Sequence, residues 1–202
     1  TNLKFISTIM PSVFESDNFL NKTPSLIEYS AFFGSINIFK FLLLQLEKTD
    51  YFDVKNIEKL YEYSIAGGCP EIIHLVEGIN SEINIINRKC IKLSIFYHQN
   101  IITEYLHDKS EMPYVFDDLL CCIECSNYEM FLIIFQDDVF VDLIKKCLKN
   151  PGLIEVQQLL LYSIQNGNLT FFKFFLNNFR FDINMILNIN FNTLCLLICF
   201  HI

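Results

Sequence analysis

The chain has 202 residues, 52% of them hydrophobic, with 21 Phe, 9 Tyr and no Trp; that is enough apolar matter to bury a core and far from the composition of a disordered segment. Six Gly and five Pro are too few for an all-β fold built on many tight turns. The net charge is −8, and the densest basic group (Lys145, Lys146, Lys149) follows directly on Asp137, Asp138 and Asp142, which excludes nucleic acid as a partner because phosphate binding needs clustered cations.

Residues 1–22 carry no clear periodicity and are expected to be an N-terminal extension or a degenerate helix. Thr1 to Met10 holds one Lys and too short an apolar stretch for a secretory signal. A helix start follows. Thr23-Pro24 offers an N-cap with Pro at the first helical position, and Ser25 to Glu28 has capping-box spacing.

From Tyr29-Ser30 onward a pattern recurs. Similar pairs stand at Tyr63-Ser64, Leu93-Ser94, Cys121-Cys122 and Tyr162-Ser163, with a weaker Leu197-Ile198. The spacings of the second members are 34, 30, 28, 41 and 35, scattered about a repeat length of about 33 residues. Eight and nine residues after each anchor come Ile38-Phe39, Ile72-Ile73, Ile102-Thr103, Met130-Phe131 and Phe171-Phe172. Eleven and twelve after come Phe41-Leu42, Leu75-Val76, Tyr105-Leu106, Ile133-Ile134 and Phe174-Phe175. Such positions share one helical face, so each unit carries a second amphipathic helix at a fixed distance from the first.

Ahead of the anchors, Leu26-Ile27, Leu60-Tyr61, Cys90-Ile91 and Leu159-Leu160 give the first helix its own apolar stripe; Asp118 breaks it in the fourth unit. The small anchor lets two helices approach, and a buried Ser there is expected to bond to the carbonyl four residues earlier. Gly34, Gly68 and Gly167 stand where a helix ends in a left-handed residue. His98 and Ser126 fill the equivalent sites, so those two turns are expected to be strained or differently shaped. Pro70 is placed to open the second helix of unit two, with Glu71 near its positive end.

The units fall near 23–48, 58–79, 88–108, 117–136 and 155–180, with an insertion at 137–154 and a sixth unit begun at 193–202. Within the insertion, Val139, Val141, Leu143, Ile144 and Leu148 form a candidate extra helix stopped by Asn150-Pro151-Gly152. Residues 183–202 carry no formal charge, but their unbroken apolar run is only Leu194 to Phe200, too short to span a membrane.

Three stretches carry a family resemblance: SAFFGSINIFKFLL (Ser30 to Leu43), SIAGGCPEIIHLVE (Ser64 to Glu77) and SIQNGNLTFFKFFL (Ser163 to Leu176). Each resembles the Ala-Ala-x-x-Gly-x-x-x-x-Val-x-x-Leu-Leu core of ankyrin repeats. Phe181-Asp182-Ile183-Asn184 and Asn192-Thr193-Leu194-Cys195-Leu196 resemble the family's Ala-Asp-Val-Asn turn and its Thr-Pro-Leu-His opening, with Pro and His replaced by Leu194 and Leu196. SLIEYSAFFGSI and LYEYSIAGG are similar to a divergent group, the ankyrin-like domains of unknown function expanded in some protozoa and giant viruses. The resemblance covers residues 23–202, strongly in units one, two and five and weakly in three and four. It implies an all-α, ankyrin-type helix–turn–helix repeat solenoid with a concave groove that binds proteins, and no enzyme activity. The near absence of Thr-Pro-Leu-His removes support for binding through projecting β-turns.

In that geometry the two residues before each helix-ending turn face the groove. They are Phe32-Phe33, Ala66-Gly67, Phe96-Tyr97, Glu124-Cys125 and Gln165-Asn166. Phe32, Phe33, Phe96, Tyr97, Glu124, Gln165 and Asn166 are therefore the candidate partner-binding residues, since exposed aromatics are frequent hot spots. The alternative is that Phe32 and Phe96 pack against neighbouring repeats.

Eight Cys include Cys122-x-x-Cys125, but no second CxxC exists and Cys122 sits on the small inter-helix position, so the cysteines read as reduced core residues of a cytoplasmic protein. His74, His98, His107 and His201 show no ligand spacing; His74 is expected at the surface. Asp117-Asp118 and Asp137-Asp138 read as solvated loop carboxylates. There is no GxGxxG, P-loop or GxSxG. No catalytic residue, cofactor or metal is expected. The expectation is a monomeric protein–protein interaction module whose partner is another protein; the alternative is a regulatory or spacer segment of a larger protein whose activity lies elsewhere.

Overall fold

The computed structural model describes residues 7–10, 17, 19–49, 51–80, 85–138, 140–141 and 154–179. These residues form ten α-helices and no strand. The helices are α1 (Leu26–Phe32), α2 (Ile36–Leu46), α3 (Val54–Gly67), α4 (Pro70–Glu77), α5 (Arg88–Phe96), α6 (Asn100–Ser110), α7 (Phe116–Glu124), α8 (Tyr128–Phe135), α9 (Ile154–Gln165) and α10 (Leu169–Asn178). The chain divides into two compact units, Thr1–Ser110 and Glu111–Ile202. The extra helix sought at 139–148 and everything beyond residue 179 lie outside the described residues, apart from helical Phe140 and Val141.

The helices come in pairs, and one turn closes all five. Gly34, Gly68, His98, Ser126 and Gly167 all have φ between 57° and 72°. Each donates its N–H to the carbonyl three residues back, at 3.0–3.3 Å. The next N–H, from Ser35, Gln99, Asn127 and Asn168, reaches the carbonyls of Ser30, Ser94, Cys122 and Ser163 at 2.8–2.9 Å. At these four turns this is the Schellman arrangement, whereas at the second turn the Gly68 N–H itself also reaches the Ser64 carbonyl at 3.1 Å. The expectation of a different shape at His98 and Ser126 is corrected: both adopt the same left-handed turn without glycine, at a conformational cost of about 1–2 kcal/mol each.

The anchor serines are buried, and each Oγ donates to the carbonyl three residues earlier rather than four: Ser30 to Ile27, Ser64 to Tyr61, Ser94 to Ile91 and Ser163 to Leu160, at 2.6–2.8 Å. Twelve residues after each anchor, Leu42, Val76, Leu106, Ile134 and Phe175 are all buried. The position eight after it is not uniform. Ile72 and Ile102 are buried, but Ile38 is 54% exposed. Within the first unit those two follow another helix pair, whereas α1–α2 is the first pair described.

Helix starts follow local chemistry. Ser25, not Thr23, is the N-cap of α1: its N–H donates to Glu28 Oε2 at 2.6 Å and its Oγ accepts from the Glu28 N–H, while Thr23 is left-handed. Pro70 opens α4 as expected. Asp118 is neither a solvated loop carboxylate nor a mere break in the apolar stripe. It is buried in the first turn of α7 and accepts from the Val115 N–H at 2.9 Å, the acidic half of a capping box. Near the start of the chain, residues 7–10 are not helical, and Thr8 pairs with Ser25 in an isolated antiparallel bridge.

In the first unit α1 packs on α3, α3 on α5 and α2 on α4. In the second, α7 packs on α9, and an aromatic core joins α8 to α10. There Phe131 meets Phe135, Phe171 and Phe174 at ring separations of 5.1, 4.8 and 5.7 Å.

Candidate partner-binding surface

The first unit assembles an aromatic row from the ends of its first helices. α1 ends at Phe32 with Phe33 as its C-cap, and α5 ends at Phe96 with Tyr97 as its C-cap. Tyr29 meets Phe33 at 4.6 Å, as the spacing of four on a helix allows. Phe33 meets Phe32 edge to face at 5.2 Å, Phe32 meets Tyr97 at 5.7 Å, and Tyr97 meets Phe96 at 5.4 Å. Phe33 stays 52% exposed and Phe96 46% exposed. Phe32 and Tyr97 are half-buried between them.

The middle helix makes this possible. α3 ends in Ala66-Gly67, and a Cβ on Gly67 would collide with the carbonyl oxygens of Ala31 and Phe32. Only a bare Cα fits against the end of α1. Tyr97 is fixed from behind: its hydroxyl donates to Asp17 Oδ1 at 2.9 Å, and its ring meets Phe19 at 6.1 Å. Phe19 also meets Tyr63 at 4.3 Å. The row is thus a supported surface of apolar rings whose outer members face solvent.

The structure brings together Phe32, Phe33, Phe96 and Tyr97. Glu124, Gln165 and Asn166 lie in the second unit, all three exposed at helix ends. Tyr162 connects two of them: its hydroxyl donates to Glu124 Oε2 at 3.4 Å, and its carbonyl accepts from Asn166 Nδ2 at 2.8 Å. Sequence reasoning missed Tyr29, Asp17, Phe19 and Tyr162. Tyr29 was signalled by its spacing from Phe33. Asp17 and Phe19 lie in a stretch without periodicity, so nothing marked them.

Two clusters of titratable groups stand apart from the row. Glu77 accepts from Tyr61 at 2.7 Å, from Tyr105 and Lys109 at 2.8 Å, and meets His74 Nδ1 at 3.2 Å. Burial raises its pKa, but hydrogen bonds from Lys109, Tyr61, Tyr105 and His74 outweigh that and hold the carboxyl below its ordinary value. Burial pushes the Tyr61 hydroxyl up strongly. His74 itself is exposed, as expected.

The second cluster is on α7. Cys122 is buried and burial raises its thiol, while Cys121 and Cys125 are only half-buried, which corrects their reading as core residues. Cys69 is half-buried too, whereas Cys90 is buried and pushed up to about 11, chiefly by desolvation. Among the described residues no group of three or more His, Cys, Asp or Glu side chains is placed to hold a metal ion. No described helix is long and apolar enough to cross a membrane.

Comparison with known proteins adds one match. A family described as a domain of unknown function (DUF3447) has a model that matches residues 52–134, the stretch from just before α3 to near the end of α8. No curated protein and no solved structure matches the chain.

Proposed function

We propose that the chain is an ankyrin-like repeat protein that works as a protein–protein interaction module, without catalysis, in the cytoplasm. The repeat reading draws support from the left-handed turn that recurs at residues 34, 68, 98, 126 and 167, with the same pair of hydrogen bonds at all but Gly68, and from the buried serine or cysteine four residues before each turn. The second, third and fourth helix pairs carry the family match.

The observation that carries the binding role is the aromatic row. Phe33 and Phe96 expose large apolar faces, and their neighbours Phe32 and Tyr97 hold them in place. Rings already fixed in one orientation lose little conformational freedom on binding, which favours affinity. A partner would lay apolar or aromatic side chains of its own on the row.

Selection of a peptide library on the full chain tests this. Binders enriched on the native protein are expected to lose about tenfold or more in affinity, about 1.4 kcal/mol, for the double variant Phe33→Ala/Phe96→Ala. Ile101→Ala, at an exposed residue outside the row, serves as the control. Binders with equal affinity for both variants sink the row as the docking surface.

A further inference from the structure

Cys121 and Cys125 lie one turn apart, so they share a flank of α7, while Cys122 turns into the core. Both flank residues are half-buried, in contrast to the fully buried Cys122. The Cys121 thiol hydrogen-bonds to the Cys125 sulfur. Cys125 is the C-cap, at φ −89° and ψ 3°, and Ser126 after it is already left-handed.

That placement decides what the pair can do. Cα atoms four residues apart on a helix are about 6 Å apart, within the range a disulfide spans. Their Cβ atoms, about 5–6 Å apart, must close to about 3.5–4.5 Å. A residue in mid-helix resists that movement. Cys125, at the helix end, is able to make it by rotation about its own N–Cα bond, which swings its Cβ and carries the turn that follows.

The two thiols are also unequal. The S–H of Cys121 donated to Cys125 favours the Cys125 thiolate; burial opposes it, and the Asn127 N–H adds to the lowering. The same contact and burial raise Cys121.

We propose that Cys121 and Cys125 form a reversible dithiol–disulfide site that reacts with hydrogen peroxide. The Cys125 thiolate attacks one peroxide oxygen; an S–O bond forms, the O–O bond breaks, and hydroxide leaves to take a proton from solvent. Sulfur at 125 is now a sulfenic acid. The Cys121 sulfur then attacks it, the S–S bond forms, and the S–O bond breaks, with the departing hydroxyl and the Cys121 proton leaving as water. One peroxide is reduced to two waters, and two thiols become one disulfide. A cellular thiol reverses it by exchange.

Closing the bond pulls on a turn that α10 holds. Asn168 Nδ2 donates to Ile123 O at 3.2 Å and to Ser126 Oγ at 2.9 Å. Drawing Cys125 toward Cys121 shifts Ser126 and loosens that clamp, so the site reports oxidation to the α9–α10 turn.

The full chain, titrated with hydrogen peroxide and then alkylated, tests the proposal by peptide mass spectrometry. The expected result is a product two hydrogens lighter, with Cys121 and Cys125 both protected from alkylation and Cys122 silent. Cys121→Ser is expected to accumulate a sulfenic acid at Cys125 that dimedone traps, and Cys125→Ser to react at Cys121 at least tenfold more slowly. Circular dichroism checks that both variants keep the native helix content, and the native-chain mapping stands without them. The proposal is overturned if Cys121 and Cys125 remain alkylatable after peroxide has consumed other thiols, or if Cys121 is the faster of the two to form a sulfenic acid.

Discussion

Phe32 and Tyr97 end the first helices of the first and third pairs, yet their rings meet edge to face at 5.7 Å. The helix between them, α3, ends in Ala66-Gly67, whose small side chains leave the two rings free to touch. Gly67 lies so close to α1 that an added methyl would strike main-chain carbonyls, which cannot swing aside as a side chain does.

Gly67→Ala therefore has two opposed effects. In a free helix alanine gains about 1 kcal/mol over glycine. Here the overlap with Ala31 and Phe32 costs about 1–3 kcal/mol by forcing α1 and α3 apart. The collision is with backbone, so the net change is destabilising, read as a lower denaturation midpoint. A second consequence is loss of the Phe32–Tyr97 contact, worth about 0.5–1.5 kcal/mol by double-mutant cycle. An unchanged or raised midpoint in Gly67→Ala contradicts the close approach.

His98 and Ser126 hold left-handed backbone that the other three turns give to glycine. His98→Gly is expected to stabilise by about 0.5–1 kcal/mol, the relief of strain less the added freedom of the unfolded chain, whereas in Ser126→Gly the lost hydrogen bond from Asn168 Nδ2, about 0.5–1.5 kcal/mol, offsets that relief and leaves little net change. Gly167→Ala, where a Cβ meets open space, is expected to destabilise by about 1 kcal/mol through backbone conformation alone. Thermal melts of the three variants check both signs.

The helices were legible because their signals are local. Periodicity placed the apolar stripes, Pro70 opened α4, and Ser25 to Glu28 formed the capping box that the spacing indicated. What failed depended on neighbours. Asp118 breaks an apolar pattern because its partner is the backbone N–H of Val115, which no hydropathy pattern records. Ile38 matches Ile72 in sequence but not in burial, since exposure is set by what packs outside the helix. Of the aromatic row, Phe32, Phe33, Phe96 and Tyr97 followed from helix-end positions. Asp17, which fixes Tyr97, comes from a segment with no pattern to read.

Glu77 joins α3, α4 and α6 through Tyr61, His74, Tyr105 and Lys109. Its carboxyl titrates lower in the fold than in the unfolded chain, so its contribution is fully present above the ordinary glutamate value of 4.5 and is lost as pH falls through the lower folded value. Glu77→Gln keeps the shape but removes the charge. The variant is expected to be less stable at neutral pH by about 1–3 kcal/mol, with the gap to the native chain closing below about pH 4.5. Urea midpoints measured from pH 7 to pH 3 decide this; a gap that stays constant over that range excludes the titration of Glu77 as its source.

Phe33 and Phe131 have the same side chain in opposite circumstances. Phe131 is fully buried among Phe135, Phe171, Phe174 and Phe175, and Phe131→Ala is expected to cost about 3–5 kcal/mol by removing apolar contact and leaving a cavity. Phe33, half exposed at a helix end, gives up little burial, and Phe33→Ala is expected to change stability by about 0.5 kcal/mol or less. If both hold in denaturant melts, the aromatic ring at 33 contributes little to the fold, and its place on the surface calls for a use in binding. A loss at Phe33 as large as that at Phe131 would make the row part of the core and remove the reason to assign it a partner.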